Sequence, residues 1–234
     1  MAINNKLVPK QEQKELTAVF TANGKEVTLN PETVRRYLVS GDPANVTNEE
    51  IAMFINLCKF NQLNPWLKEA YLIKFGKSPA TLVTGKEAYM KRAETHPHYD
   101  GMESGIIVLT NANEIKYRVG SVWLDGEKIV GAWAEVYRND RNHSTRCELP
   151  FVEYAGFTSE GKLNSNWQKR PATMIRKVAI VQALREAFPT TFGGMYTAEE
   201  QGFEEEETAN IPIEEPVAQE QTKVVVEEDD GLPL

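Results

Sequence analysis

NSNWQKRPATMIRKVAIVQALREAFP, residues 164–189, decides how the rest of this 234-residue chain is read. From Gly161 to Arg185 there is no acidic residue, while Lys162, Lys169, Arg170, Arg176, Lys177 and Arg185 are basic. Pro171 suits the first position of a helix, and Pro189 stops it after Phe188. At about 100° per residue its apolar side chains fall almost all the way round, from Ile175 and Val178 to Leu184 and Phe188. Such a helix is expected to be buried, and buried cations need partners. Lys177 and Arg185 project within about 80° of each other on the helical wheel, so a groove holding phosphates would answer their charge. The alternative for any one cation is internal pairing, with Glu135, Glu148 or Glu153 as the acids within reach. Trp167, beside Lys169 and Arg170, is the expected aromatic platform, because single-stranded nucleic acid is held by base stacking plus backbone charge. The alternative there is a core indole.

The overall net charge of −8 argues against a nucleic-acid partner only until it is divided. Glu199–Leu234 holds 13 acids and one lysine, a net −12, and the preceding 198 residues carry +4. The acidic end, rich in Glu and Pro and without apolar periodicity, reads as a disordered tail. The body is mildly basic, as a nucleic-acid binder requires.

Outward from the basic helix the pattern is α+β: an antiparallel β-meander packed with helices, with a groove beside the long buried C-terminal helix. Asn23-Gly24 marks a hairpin over 17–29, Asn30 caps a helix that closes near Gly41, and Thr47 with Glu50 has capping-box spacing for a helix to about Leu63. Strands are expected at 69–75, 81–84, 105–110, 115–123, 128–138 and 143–149, with Asp125-Gly126 as a hairpin turn. A helix through 85–95 places Lys86 and Tyr89 on successive turns. Arg138, Arg141 and Arg146 form a second basic cluster at a strand end and its loop.

Other functions are disfavoured. No stretch approaches the roughly 18–20 apolar residues of a membrane span, and the first residues lack a secretory pattern, so the expected compartment is the cytoplasm. Cys58 and Cys147 form no CxxC motif, which fits a reducing compartment. No phosphate loop of the Walker type appears. His96, His98 and Asp100 alternate, but Pro97 makes that run a turn, and no metal site or catalytic residue is expected.

Asn64-Pro65-Trp66 followed by AYLIKF, then HYDGMESGIIV, GAWAEVYRNDR, and PATMIRKVAIVQALREAFP with Gly194-Met195-Tyr196 together resemble the RecT/Redβ (Bet) family of phage single-strand annealing proteins, over about residues 50–200. The resemblance implies single-stranded DNA binding and annealing of complementary strands in the bacterial host cytoplasm, without ATP. Magnesium would be at most stimulatory, with no site of its own. It implies a homo-oligomer, as a ring or helical filament, and partnership with a phage exonuclease. By similarity Arg176 and Arg185 match basic positions of the final helix, as do Lys169 and Arg170 before its proline; Lys177 stands where relatives vary between Lys, Arg and His. The expected division, outside and inside that span, is a 1–46 segment of hairpin and short helix serving oligomerisation, a 47–198 annealing core and the 199–234 tail set off by its charge. The terminal EEDDGLPL resembles the C-terminus of bacterial single-strand DNA-binding proteins, so a host protein of that kind, or the chain's own groove, is a further expected contact. The competing readings are a metal-dependent nuclease and a scaffold acting through its tail.

Overall fold

Asn23 and Gly24 take positive φ (51° and 75°) between β1 (Ala18–Ala22) and β2 (Lys25–Leu29), which pair antiparallel as the Asn-Gly signal requires. The computed structural model describes residues 17–158 and 160–202, so the expected disorder of the tail falls mainly outside the described residues. Asn30 caps α1 (Pro31–Tyr37) through its side-chain oxygen, which accepts from Thr33 N at 2.8 Å. The helix ends four residues before Gly41. Val39–Gly41 instead forms β3, parallel to β4 (Ala70–Lys74), because the ladder to β4 satisfies that backbone better than another helical turn.

The capping box opens α2 (Asn48–Phe60): Glu50 N donates to Thr47 Oγ1 at 3.2 Å and Thr47 N returns to Glu50 Oε2 at 2.9 Å. Glu50 Oε1 also accepts from Lys74 Nζ and Ala80 N, both at 2.7 Å. Burial would raise this carboxyl, but these hydrogen bonds outweigh it and bring it down to about 2. A carboxyl held below its unfolded value stabilises the fold above the ordinary range near pH 4.5 and loses that contribution as pH falls toward 2. Acid titration of unfolding should therefore show a loss across pH 4.5–2 that Glu50→Gln flattens.

Asn64 folds the Asn-Pro-Trp turn, its side chain accepting from Trp66 N at 3.1 Å. Buried Glu69 then gathers Asn64 N (2.8 Å), Asn23 Nδ2 (3.1 Å) and Lys91 Nζ (2.6 Å). One carboxylate thus joins the β1–β2 tip, this turn and α3 (Lys86–Glu94). β5 (Thr81–Thr84) completes the small sheet in the order β3-β4-β5.

The larger sheet comprises β6 (Tyr99–Leu109), β7 (Ile115–Val119), β8 (Lys128–Arg138) and β9 (Thr145–Pro150), all antiparallel in the order β7-β6-β8-β9. β7 and β8 therefore flank β6, and Asp125-Gly126 turns a connection passing the end of β6 instead of joining neighbouring strands. β6 starts six residues earlier than expected, its first turn absorbed by an irregularity between Tyr99 and Met102 where Gly101 has φ 98°. Gly105 is dictated by close approach: a Cβ there would collide with the Arg118 carbonyl and the Trp133 indole.

After α4 (Phe151–Tyr154) and α5 (Ser165–Lys169) comes α6 (Pro171–Ala187), which packs on β6, β8 and β9 and continues past Phe188 into α7 (Pro189–Phe192). Ile175, Val178, Val181, Leu184 and Ala187 are fully enclosed, as the apolar circumference of the helix requires. Cys58 and Cys147 are free, buried thiols; burial pushes both up, Cys147 to about 12. No helix among the described residues is long and apolar enough to cross a membrane.

Candidate nucleic-acid interface

Enclosure of α6 sends its cations to internal partners. Lys177 Nζ lies 3.0 Å from Glu199 Oε1, with side chains 11% and 0% exposed. Arg185 forms an ion pair with Glu200 and donates to the Met195 carbonyl at 2.9 Å. Burial works against the Arg185 charge, but the Glu200 carboxylate holds it and moves its pKa up. Arg176 donates from Nε to Ser104 Oγ on β6 at 3.0 Å. The neutralising acids are thus not Glu135, Glu148 or Glu153. They come from a turn at Glu199–Gln201, which composition alone assigns to the tail. A strap over 193–202 brings them in. It is tied by Thr84 N to the Tyr196 carbonyl (2.8 Å), Gln201 Nε2 to the Leu82 carbonyl (3.3 Å) and Thr197 N to Glu200 (3.0 Å). Ala198 is buried with Tyr71, Ile73 and Val83.

The second cluster is also partnered. Arg138 chelates Asp140 at 2.8 and 2.7 Å, stacks 4.5 Å over Phe188 and donates to the Ala187 carbonyl, so it closes the C-terminal end of α6. Arg146 lies between the rings of Trp133 (4.7 Å) and Tyr117 (5.2 Å) and pairs with Glu135 (3.1 Å) and Glu148 (2.9 Å). Arg141 is exposed at the turn beyond β8. Lys86, at the start of α3, is 3.4 Å from its neighbour Glu87. His96 packs on Phe188, and His98 Nδ1 is 3.1 Å from Asn139 Oδ1. Among the described residues no three His, Cys, Asp or Glu side chains converge.

Trp167 is not an exposed platform. It is 1% exposed, edge-on to Phe151 at 5.4 Å, with its backbone capped by Asn164. Its place is taken by an indole that the sequence reading missed. The connection after β7 carries Trp123, 38% exposed, beside exposed Val122 and Leu124. Ser121, Val122 and Trp123 face Lys169, Arg170, Pro171, Ala172 and Thr173 across a groove of about 310 Å³. The only sequence signal was three consecutive large apolar residues in an otherwise polar loop, hidden by reading 115–123 as a strand.

This groove brings together the elements that a nucleotide strand requires. Lys169 and Arg170 are exposed at the break between α5 and α6. No side chain caps the start of α6, and Pro171, Ala172 and Thr173 of its first turn line the groove. A phosphate would meet two cations and a helix N-terminus there, and a base would meet the indole.

A family model described as the RecT family matches residues 25–213. The chain is 26% identical over 173 residues to Recombination protein bet of Escherichia phage lambda, covering 72% of this chain and 56% of that protein. It is 31% identical over 156 residues to an uncharacterised protein of Ureaplasma parvum serovar 3, covering 62% and 56%. The chain therefore spans just over half the length of these curated relatives.

Proposed function

Since the chain belongs to the RecT family, we propose that it binds single-stranded DNA and anneals complementary strands in phage recombination, without ATP and without a covalent step. The observation carrying this reading is the groove at the start of α6, where Lys169 and Arg170 meet the exposed Trp123. Annealing needs phosphates neutralised, a strand extended and base edges left accessible. Lys169 and Arg170, exposed at the break between α5 and α6, serve the first two, and one stacking residue leaves neighbouring bases free. A homo-oligomer, as a ring or helical filament, would continue the groove from subunit to subunit. A phage exonuclease that supplies the strand would be its partner in the host cytoplasm.

The test is pairing of complementary oligonucleotides in chelator without nucleotide, with gel shifts at 50 and 200 mM salt. Pairing should be accelerated, and affinity should fall steeply with salt and depend little on sequence. Absence of acceleration, or a need for ATP, would overturn the proposal.

A further inference from the structure

Tyr196 has no part in the groove just described, yet its presentation needs a reason. The ring is 44% exposed, an unusual setting for an aromatic residue in a strap whose neighbours Met195, Thr197 and Ala198 are buried. The strap holds it firmly. The Tyr196 carbonyl accepts from Thr84 N at the end of β5, and Gly194 (φ 77°) turns the chain just before it. Arg185 Cζ lies 4.8 Å from the ring centroid, and that guanidinium is itself held by Glu200 and the Met195 carbonyl. A tyrosine backed by a fixed cation at a surface is a preorganised stacking face.

Charge and distance give the face its context. Thr84, which ties Tyr196 down, precedes by two residues Lys86, the first residue of α3. Lys86 is partly exposed, and its contact to the exposed Glu87 at 3.4 Å is weak by its nature. Arg185 follows Arg170, the residue just before α6, by fifteen residues, which is about 22 Å of helix rise. At 3.4 Å per nucleotide in a B-like strand this span is roughly six to seven nucleotides.

We infer that Tyr196 is a second base-stacking station, with Lys86 as its neighbouring phosphate contact, so that one strand runs along α6 from Trp123 to Tyr196. The inference rests on the single-stranded DNA reading above. Arg185 is a positioning residue in it: the guanidinium holds the ring and does not touch the base.

The test uses the full chain, with fluorescence anisotropy on labelled dT20 and on an abasic oligonucleotide of the same length. Tyr196→Ala should weaken dT20 binding roughly tenfold, leave abasic binding unchanged and shorten the occluded site, with the unfolding midpoint as in the wild type. Tyr196→Phe should bind like the wild type. Tyr196→Leu should behave like the alanine variant while keeping an apolar side chain. If Tyr196→Ala and Tyr196→Leu bind dT20 like the wild type while Trp123→Ala does not, the second station falls and the DNA reading survives. Equal losses on both oligonucleotides would mean a structural role and also overturn the inference. A wild-type chain that binds neither oligonucleotide would remove both proposals.

Discussion

Arg185→Ala should lower the unfolding free energy by about 3–5 kcal/mol, the cost of breaking a buried ion pair by removing one partner. The Arg185 side chain is 20% exposed and that of Glu200 is 5% exposed, so the surviving carboxylate would have little water to replace the guanidinium. The Met195 carbonyl would lose its donor at the same time. Lys162→Ala is the control: that side chain is 79% exposed, and its loss should stay within about 0.5 kcal/mol. The double variant Arg185→Ala/Glu200→Ala should recover part of the loss, because no unpaired charge remains. Truncation after Ala198 should destabilise the chain in the same way, by removing Glu199 from Lys177 and Glu200 from Arg185. Urea unfolding decides, read as a shifted midpoint at constant slope. An Arg185→Ala protein that melts like the wild type but loses DNA affinity would reassign the guanidinium from Glu200 to a phosphate.

Replacing Lys169, Arg170 and Trp123 together with alanine should weaken single-stranded DNA binding by about 100-fold with the fold intact. Two lost phosphate contacts should reduce the magnitude of the logarithmic salt slope by about 1.4, and the lost stack should contribute about 1–3 kcal/mol. Because Lys169 and Arg170 are exposed, and Trp123 is 38% exposed on a connecting loop, little packing is removed. Trp167→Ala should do the opposite. It empties an enclosed site against Phe151, at a cost of about 3–5 kcal/mol in stability. Salt-dependent binding and thermal melts on the two variants should therefore separate cleanly. A triple variant with the wild-type slope would place the DNA elsewhere.

Features encoded over a few residues were legible. The Asn23-Gly24 hairpin, the Thr47–Glu50 box, the Pro171 start of α6 and its all-round apolar surface follow from local geometry, and each formed as expected. What failed depended on contacts distant in sequence. Asp125-Gly126 carries the chemistry of a tight turn, yet strand order is decided by which neighbour β6 accepts on each side, and no dipeptide encodes that. The buried face of α6 was readable, but the partners of Lys177 and Arg185 lie 22 and 15 residues further on. They sit in a segment that charge counting had joined to the tail. Charge composition therefore places a boundary at residue 198, while packing carries on past it through the turn at Glu199–Gln201. The exchange of Trp167 for Trp123 has the same origin: both indoles neighbour cations, one in sequence and the other only in space.

The two enclosed thiols have a practical consequence for following annealing in time. With burial raising both Cys58 and Cys147, neither offers the exposed thiolate that maleimide dyes attack. The native chain is thus spectroscopically blank toward such reagents. A single cysteine placed at exposed Asn142, one residue beyond Arg141, would carry the only dye. Energy transfer between that label and a fluorophore at either end of an oligonucleotide would then report the direction in which a strand runs along α6.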